Sequence, residues 1–121
     1  MAIKNPTAGG AGSTGLLITS PVKLLNYGSI AGGGGGGGGG AATGGQGGGG
    51  AGFGLGYNNG TLIYGGAGES STYDGGAGGS RGVWGSPGEG GASGGEPGLA
   101  IQGAIFLTND SVNGDLYGPL A

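Results

Sequence analysis

Nine consecutive glycines, Gly32 to Gly40, are the feature that most restricts what this chain can fold into. Each glycine in the interior of an α-helix costs about 1 kcal/mol relative to alanine. A pleated sheet is also disfavoured, because glycine has no side chain to pack across strands. The run continues in diluted form as far as Gly98, and 42 of the 121 residues are glycine. The middle of the chain therefore predicts neither α-helix nor ordinary sheet.

A disordered linker is the usual interpretation of such a composition. Only 7% of the residues are charged, however, whereas solvated linkers are rich in Ser, Lys, Glu and Gln. The residues that accompany glycine are Ala, Tyr, Phe, Leu and Trp, which gain from being packed. Collagen is also disfavoured, because the period of three between Gly82 and Gly94 is short and the chain has 5 prolines. We therefore expect ordered glycine structure.

An extended left-handed helix with three residues per turn suits a glycine chain best. A helix of the polyproline II type makes no internal hydrogen bonds, so its N–H and C=O groups point outward. Helices that lie side by side can pair these groups, and weak Cα–H···O contacts add to the pairing. Glycine alone lets backbones approach from every direction. We predict a bundle of packed polyglycine II helices over residues 32–98, in which glycine is itself the core.

Apolar side chains concentrate on either side of the glycine region. Residues 16–31 read as one or two short strands with a turn near Ser20-Pro21, and residues 99–121 as a hairpin around Asn113-Gly114. The predicted fold class is mostly irregular/β, with short terminal β-strands flanking polyglycine II helices joined by turns. Residues 1–15 are predicted to be an attachment segment and residues 16–121 a single domain. The candidate scaffold or assembly residues are Leu16, Ile18, Val22, Leu24, Ile30, Ile101, Ile105 and Leu107.

The bundle is expected to reverse direction where other residues interrupt glycine. These stretches are "GFGLGYNNGTLIYG", "GESSTYDG", "GSRGVWGSPG" and "GEPG", in which Asn59-Gly60 and Asp74-Gly75 are typical of tight turns. Their aromatic residues either cover the bundle or project from it as amphipathic contacts. Loops on a rigid scaffold often carry binding function. The candidate binding residues are Phe53, Leu55, Tyr57, Asn58, Tyr64, Tyr73, Asp74, Arg81 and Trp84.

The residue types present in the chain disfavour catalysis. The chain has no His and no Cys, so a catalytic triad and a zinc site are excluded, and we expect no enzyme activity and no cofactor. The stretch "NDSVNGD", Asn109 to Asp115, offers oxygen ligands but not the spacing of an EF-hand, so a turn is favoured over calcium. A net charge of −3 with three basic residues disfavours nucleic-acid binding. No stretch predicts a secretory signal or membrane insertion.

Two sequence signatures resemble a known family. The stretch "ITSPVKLLNYGSIAGGGGGGGGG" near the start and "LAIQGAIFLTNDSVNGDLYGPL" at the end are similar to the glycine-rich receptor-binding tips of tailed bacteriophages. Such tips occur at the ends of lambda-like central fibres and T4-like long tail fibres. The resemblance covers about residues 16 to 121. It implies a polyglycine II bundle whose outer loops bind a bacterial receptor.

This resemblance leads to a functional expectation with alternatives. The leading interpretation is a non-enzymatic adhesin at the tail tip of a virion, made in the host cytoplasm, that binds an outer-membrane protein or a surface glycan. Its other partners would be phage tail proteins, and both a homotrimer and a single chain on a fibre remain open. Because few residues precede the first predicted strand, the chain is expected to be a separate tip protein or a fragment of a fibre. A structural cap or trimerisation module is the alternative, and an ice-binding protein is a third.

Overall fold

The computed structural model describes residues 7–42, 44–107, 111–112 and 114–121. Its regular elements are short. The strands are β1 (Leu16–Leu17), β2 (Leu25–Asn26), β3 (Ser29–Ala31), β4 (Ile101–Gln102), β5 (Ser111–Val112) and β6 (Asp115–Tyr117), and a 3-10 helix covers Ala104–Phe106. The remaining described residues are extended segments and turns, in agreement with the predicted fold class.

The glycine run is ordered, and its hydrogen bonds repeat every three residues. Every N–H from Gly32 to Ala41 donates to a carbonyl of another segment, at 2.7–3.2 Å. In each group of three residues, the N–H groups point in turn toward three different neighbours. No glycine between Gly32 and Gly50 has a positive φ among the described residues, as a left-handed extended helix requires. The predicted polyglycine II bundle is confirmed.

The hydrogen bonds define seven polyglycine helices in the described part of the chain, which we name PG1 to PG7. The helix at the centre of the bundle is PG2, and its neighbours run parallel or antiparallel to it. The helices are PG1 (7–15), PG2 (32–41), PG3 (44–51), PG4 (65–69), PG5 (75–80), PG6 (83–89) and PG7 (92–98). Residues 54–61 form a further segment against PG3, which we call the flank segment.

Close backbone packing explains why these positions are glycine. A Cβ atom on Gly35 would collide with the carbonyl oxygen of Gly95, and one on Gly38 with that of Ala92. The obstacle at each position is backbone on a neighbouring helix, which no change of side-chain rotamer can move. By contrast, a Cβ on Gly10, at the surface of PG1, would meet nothing within 4 Å. Glycine is thus required at the interior positions of the bundle, where a Cβ has no room, and not at Gly10 on its surface.

The β-strands all pair between the two terminal regions and are parallel. Strand β1 pairs with β4, β2 with β5, and β3 with β6. The predicted hairpin within residues 99–121 is therefore wrong, because β5 and β6 pair with strands of the first region and not with each other. Residues 108–110 and Asn113, where the hairpin turn and the weak calcium alternative were placed, lie outside the described residues.

A small side-chain core joins the strands to the bundle. Ile101 is fully buried and Ile18 is 6% exposed, whereas Ile105 is 88% exposed. Asn26 is buried and its Oδ1 accepts the N–H of Gly28 at 3.0 Å. The other candidate scaffold residues, Leu16, Leu24, Ile30 and Leu107, are half-buried, and Val22 is 38% exposed. Their role in assembly stays a prediction.

Two further predictions about the bundle need revision. The bundle begins before residue 32, because Gly9, Gly12 and Gly15 of PG1 donate to the carbonyls of residues 93, 96 and 99, and the attachment role of residues 1–15 stays a prediction. The stretch "GEPG" does not reverse the chain, since Gly95 and Gly98 both donate to PG2 within one continuous helix. The last reversal comes earlier, over residues 89–92, where Gly90 has a φ of 59°.

Candidate functional site

The bundle has two unlike ends. The first, which we call the β end, lies beside the strands and carries the loops at residues 52–53, 61–64 and 80–83. Two hydrogen bonds place it there: the N–H of Gly32 donates to the carbonyl of Tyr117 in β6, and the N–H of Gly82 donates to the carbonyl of Gly32. The turn end carries residues 70–74 and 89–92, where Glu89 donates its N–H to the carbonyl of Asp74. Any binding surface must therefore be assigned to one end or to the flank of the bundle.

The structure divides the predicted binding residues among three places. Phe53, Tyr64, Arg81 and Trp84 lie at the β end, within segments tied together by hydrogen bonds between Gly52 and Thr61 and between Arg81 and Ile63. Leu55, Tyr57 and Asn58 belong to the flank segment, where the N–H of Tyr57 donates to the carbonyl of Gly47. Tyr73 and Asp74 lie at the turn end, next to Gly45 and Glu89. The nine residues thus do not form one continuous site.

The loop at the β end is held in shape by its own polar groups. Thr61 Oγ1 accepts the N–H of Tyr64 at 2.9 Å and donates to the carbonyl of the same residue at 3.2 Å. The N–H groups of Gly52 and Phe53 both donate to the carbonyl of Thr61. Phe53 has a φ of 63°, in the left-handed region that a bulky residue seldom adopts. A strained and well-tied turn therefore presents the Phe53 ring.

Aromatic and apolar side chains are exposed together at this end. Phe53 is 67% exposed, Tyr64 is 65% exposed and Trp84 is 57% exposed. Leu62, Ile63 and Val83 are exposed beside them in sequence and were missed by the sequence reasoning. The available signal was the stretch "TLIY", in which two aliphatic residues directly precede a predicted contact residue. Amphipathic rings on a rigid support suit protein recognition.

The turn end is polar, and its carboxylates accept backbone hydrogen bonds. Asp74 Oδ1 accepts the N–H of Ser71 at 2.8 Å, and Glu89 Oε2 accepts the N–H of Asp74 at 3.2 Å. Glu69 Oε1 accepts the N–H of Gln46 at 3.1 Å. These acids satisfy turn backbone. They give the turn end a negative surface with Tyr73 as its one aromatic residue in the described segments.

The flank segment resembles the turn end in that its polar groups are used internally. Asn58 Nδ2 donates to the carbonyl of Ala67 at 3.0 Å, and Asn59 Oδ1 accepts the N–H of Gly56 at 3.3 Å. Leu55 is nevertheless 87% exposed and Tyr57 is 52% exposed. Asn58 therefore holds the flank segment against PG4, whereas Leu55 and Tyr57 project from it.

Arg81 differs from the other predicted contacts. Its guanidinium lies 3.8 Å from the centroid of the Tyr117 ring, a cation–π stack that joins the β end of the bundle to β6. Arg81 also lines a cavity of about 300 Å³ together with Ser13, Thr14 and Leu62. The described residues hold no cluster of three or more potential metal-ligating acids, His or Cys. No helix in the part of the chain that the structure describes is long and apolar enough to span a membrane.

The fold and its exposed loops define a polyglycine II scaffold protein in which large side chains are mostly exposed among the described residues. The chain belongs to the phage tail fibre adhesin Gp38 family, whose model matches residues 2–121. It is accordingly a virion protein of the tail-fibre tip class, as the sequence resemblance implied.

A solved structure is similar to this chain over most of its length. The gp37-gp38 adhesin tip complex of the bacteriophage S16 long tail fibre contains a chain that matches with a TM-score of 0.70 and 28% sequence identity. The match covers 97% of this chain and 54% of the S16 chain, so this chain spans about half the length of that relative. No curated protein matches this chain.

Proposed function

We propose that this protein attaches a phage to its host by binding a bacterial cell-surface receptor, an outer-membrane protein or a surface glycan, without catalysing a reaction. The observation that carries the proposal is the group of exposed rings at the β end, Phe53, Tyr64 and Trp84, on hydrogen-bonded turns. Family membership supports the adhesive role. The proposal assigns receptor contact to the β end in preference to the turn end.

The physical argument for the β end concerns area and entropy. Aromatic side chains supply large contact area while losing few rotatable bonds, and tied turns have already lost their backbone freedom before binding. The turn end has one comparable ring, Tyr73, and its acids are committed to backbone hydrogen bonds. The flank segment, with Leu55 and Tyr57, would extend the contact along the side of the bundle.

The strands offer a separate surface for other phage tail proteins. In the terminal regions Leu17 is 60% exposed, Leu25 is 55% exposed and Ile105 is 88% exposed. Apolar side chains of this kind favour docking to a partner protein. The solved relative is a complex of gp38 with gp37, which supports attachment to a fibre protein. This exposed surface also keeps open the alternative of a fibre cap or a homotrimer.

Alanine substitution at the two ends tests the proposal. The variant Phe53→Ala/Tyr64→Ala/Trp84→Ala removes the rings from the β end, and Tyr73→Ala is the matched control at the turn end. We expect the triple variant to reduce adsorption of phage, or of purified protein, to host cells by at least about 100-fold, because interface hot spots cost about 2 kcal/mol or more each. Tyr73→Ala should change adsorption less than about threefold.

Both variants should keep the wild-type melting temperature, because all four rings are exposed. Normal adsorption by a folded triple variant would overturn the assignment to the β end. If Tyr73→Ala alone abolished adsorption, the receptor-binding surface would lie at the turn end instead.

A further inference from the structure

The central helix PG2 has one open side. A polyglycine II helix presents three N–H and three C=O directions per turn, so it can have six hydrogen-bonded neighbours. PG2 uses five of these directions, toward PG1, PG3, PG5, PG6 and PG7. Around PG2, hydrogen bonds join PG1 to PG7, PG7 to PG6, PG6 to PG5 and PG5 to PG3. PG1 and PG3 share none in the described residues, and the sixth position is a cleft between them.

Several backbone groups along this cleft have no N–H···O hydrogen bond within the described part of the chain. The carbonyls of Gly34 and Gly37 accept no hydrogen bond from the described residues, although those of Gly33, Gly35, Gly36 and Gly38 all do. On PG1, the N–H groups of Gly10 and Ser13 donate to nothing in the same part of the chain. These residues lie beside the cleft, because the carbonyls of both accept from PG2. The cleft therefore offers acceptors on its floor and donors on its wall.

The cleft widens at the β end into the cavity of about 300 Å³. One wall carries the hydroxyls of Ser13 and Thr14, and the other carries Leu62 and Ala51. A volume of this size is at the lower limit of small-molecule sites, and a mixture of apolar faces with a few polar groups is typical of them. A sugar ring, which has an apolar face and hydroxyls at its edge, has the matching chemistry.

Arg81 gives the cavity a charge. The face of its guanidinium stacks on Tyr117, which leaves the N–H groups at the edge of the plane for a ligand. Its backbone N–H is fixed by the carbonyl of Ile63 at 3.0 Å. Within the described ranges Arg81 has no ion pair, so none of the carboxylates described there occupies its donors. An oriented and unpaired arginine is suited to a carboxylate or a phosphate.

Three of the carboxylates lie at the far end of the bundle from Arg81, whereas Asp115 lies in β6, two residues before the Tyr117 ring on which Arg81 stacks. Glu69, Asp74 and Glu89 lie together at the turn end of the bundle, where they accept backbone hydrogen bonds. The cations among the described residues, Lys23 and Arg81, lie instead in the β region and at the β end. An anionic ligand would thus approach Arg81 away from the largest group of carboxylates.

We propose that this cavity binds an acidic saccharide. Arg81 holds the carboxylate or phosphate of the sugar, and the hydroxyls of Ser13 and Thr14 with the unpaired N–H of Ser13 bind its ring hydroxyls. The inference rests on the proposed function, since it names the chemical class of a surface ligand. It adds a second contact of different chemistry beside the exposed rings of the β end.

Titration of the isolated full chain with small sugars tests the inference. The probes are glucuronate, glucose 6-phosphate, neutral glucose and inorganic phosphate, measured by calorimetry or ligand-observed NMR at low salt. We expect one or both acidic sugars to bind at least about tenfold more tightly than glucose and than phosphate, because charge and ring hydroxyls are both recognised. The relative affinity of the two acidic sugars distinguishes a carboxylate source from a phosphate source.

Variants locate the binding. Arg81→Gln should lower the affinity for the acidic sugar at least about tenfold, and Arg81→Lys should retain part of it because the charge remains. Ser13→Ala, which removes only an exposed hydroxyl, should lower the affinity severalfold. Lys23→Gln is the matched control and should leave the affinity unchanged. Melting curves identify any loss that comes from breaking the stack on Tyr117.

Several outcomes would overturn the inference. Equal binding of glucose would show that charge is not recognised, and equal binding of phosphate would indicate an anion site without a sugar. Unchanged affinity in a folded Arg81→Gln variant would place the ligand elsewhere. A wild-type protein that adsorbs to host cells but binds no acidic sugar refutes this inference alone. One that binds acidic sugars but does not adsorb refutes the proposed function alone.

Discussion

The glycine bundle and the β region hold together by opposite means. Inside the bundle, helices meet through backbone atoms, and each N–H of PG2 finds a carbonyl on a neighbour. In the β region, short parallel pairs of two or three residues are supported by buried side chains such as Ile18 and Ile101. We therefore expect the bundle to be destabilised by an added side chain, and the β region to be destabilised by the removal of one.

The same contrast means that the groups that stabilise the fold differ from the side chains that are exposed to partners. The bundle buries few large side chains, and Ile101 is the largest fully buried one in the described residues. Large rings and aliphatic side chains are instead exposed at the β end and along the strands. A scaffold stabilised by backbone hydrogen bonds leaves its apolar side chains free for contact with partners. The three predictions below test the contrast in order of expected effect.

The largest effect is expected from adding methyl groups to the centre of the bundle. Gly35→Ala/Gly38→Ala places two Cβ atoms against the backbone of PG7. Overpacking costs about 1–3 kcal/mol per site and occasionally more, and here a neighbouring backbone would have to shift. We expect the double variant to lose the cooperative melting transition seen by circular dichroism or calorimetry. A melting temperature within a few degrees of wild type would show that the bundle is looser than the hydrogen bonds indicate.

A smaller loss is expected from removing a side chain in the β region. Ile101→Ala should lower the free energy of unfolding by about 2–5 kcal/mol, because it empties a fully buried site. Ile105→Ala, at a position that is 88% exposed, is the matched control and should change it by less than about 0.5 kcal/mol. Denaturant titration measures both. Equal effects of the two substitutions would contradict the assignment of the core to Ile101.

The smallest effect is expected from a methyl group on the surface of the bundle. Gly10→Ala points its Cβ into open space, with nothing within 4 Å. Alanine also restricts the unfolded chain, so stability should stay unchanged or rise by about 0.4–1 kcal/mol. Thermal unfolding of Gly10→Ala beside the Gly35→Ala/Gly38→Ala variant gives the comparison. A marked destabilisation would mean that backbone packing extends to the outer face of PG1.

Sequence reasoning succeeded where composition alone is decisive. Nine successive glycines exclude a helix or a side-chain core, and period-three backbone pairing is the remaining way to satisfy their polar groups. It also located the apolar terminal regions and most chain reversals, because Asp-Gly and aromatic interruptions are local signals. The resemblance of the terminal signatures then indicated the adhesin family.

Partner choice between segments was not predictable in the same way. The hairpin around Asn113-Gly114 was a sound local prediction, yet β6 pairs with β3, whose residues are more than 80 positions earlier. PG1 was not predicted as part of the bundle, because glycine helices carry no side-chain pattern that identifies a neighbour. For the same reason the candidate contacts Tyr73 and Trp84, close in sequence, lie at opposite ends of the bundle.

The amino-acid sequence by itself determined the building material of this protein, since a chain so rich in glycine and so poor in charge can become ordered only by pairing backbone with backbone. Tertiary structure decided which helices are neighbours, which end carries the exposed rings, and where Arg81 meets a cleft in the bundle. The physical reason is that backbone groups are identical at every residue. The sequence therefore does not specify which helices pair, and turn lengths and the few side chains at the ends of the bundle fix the arrangement.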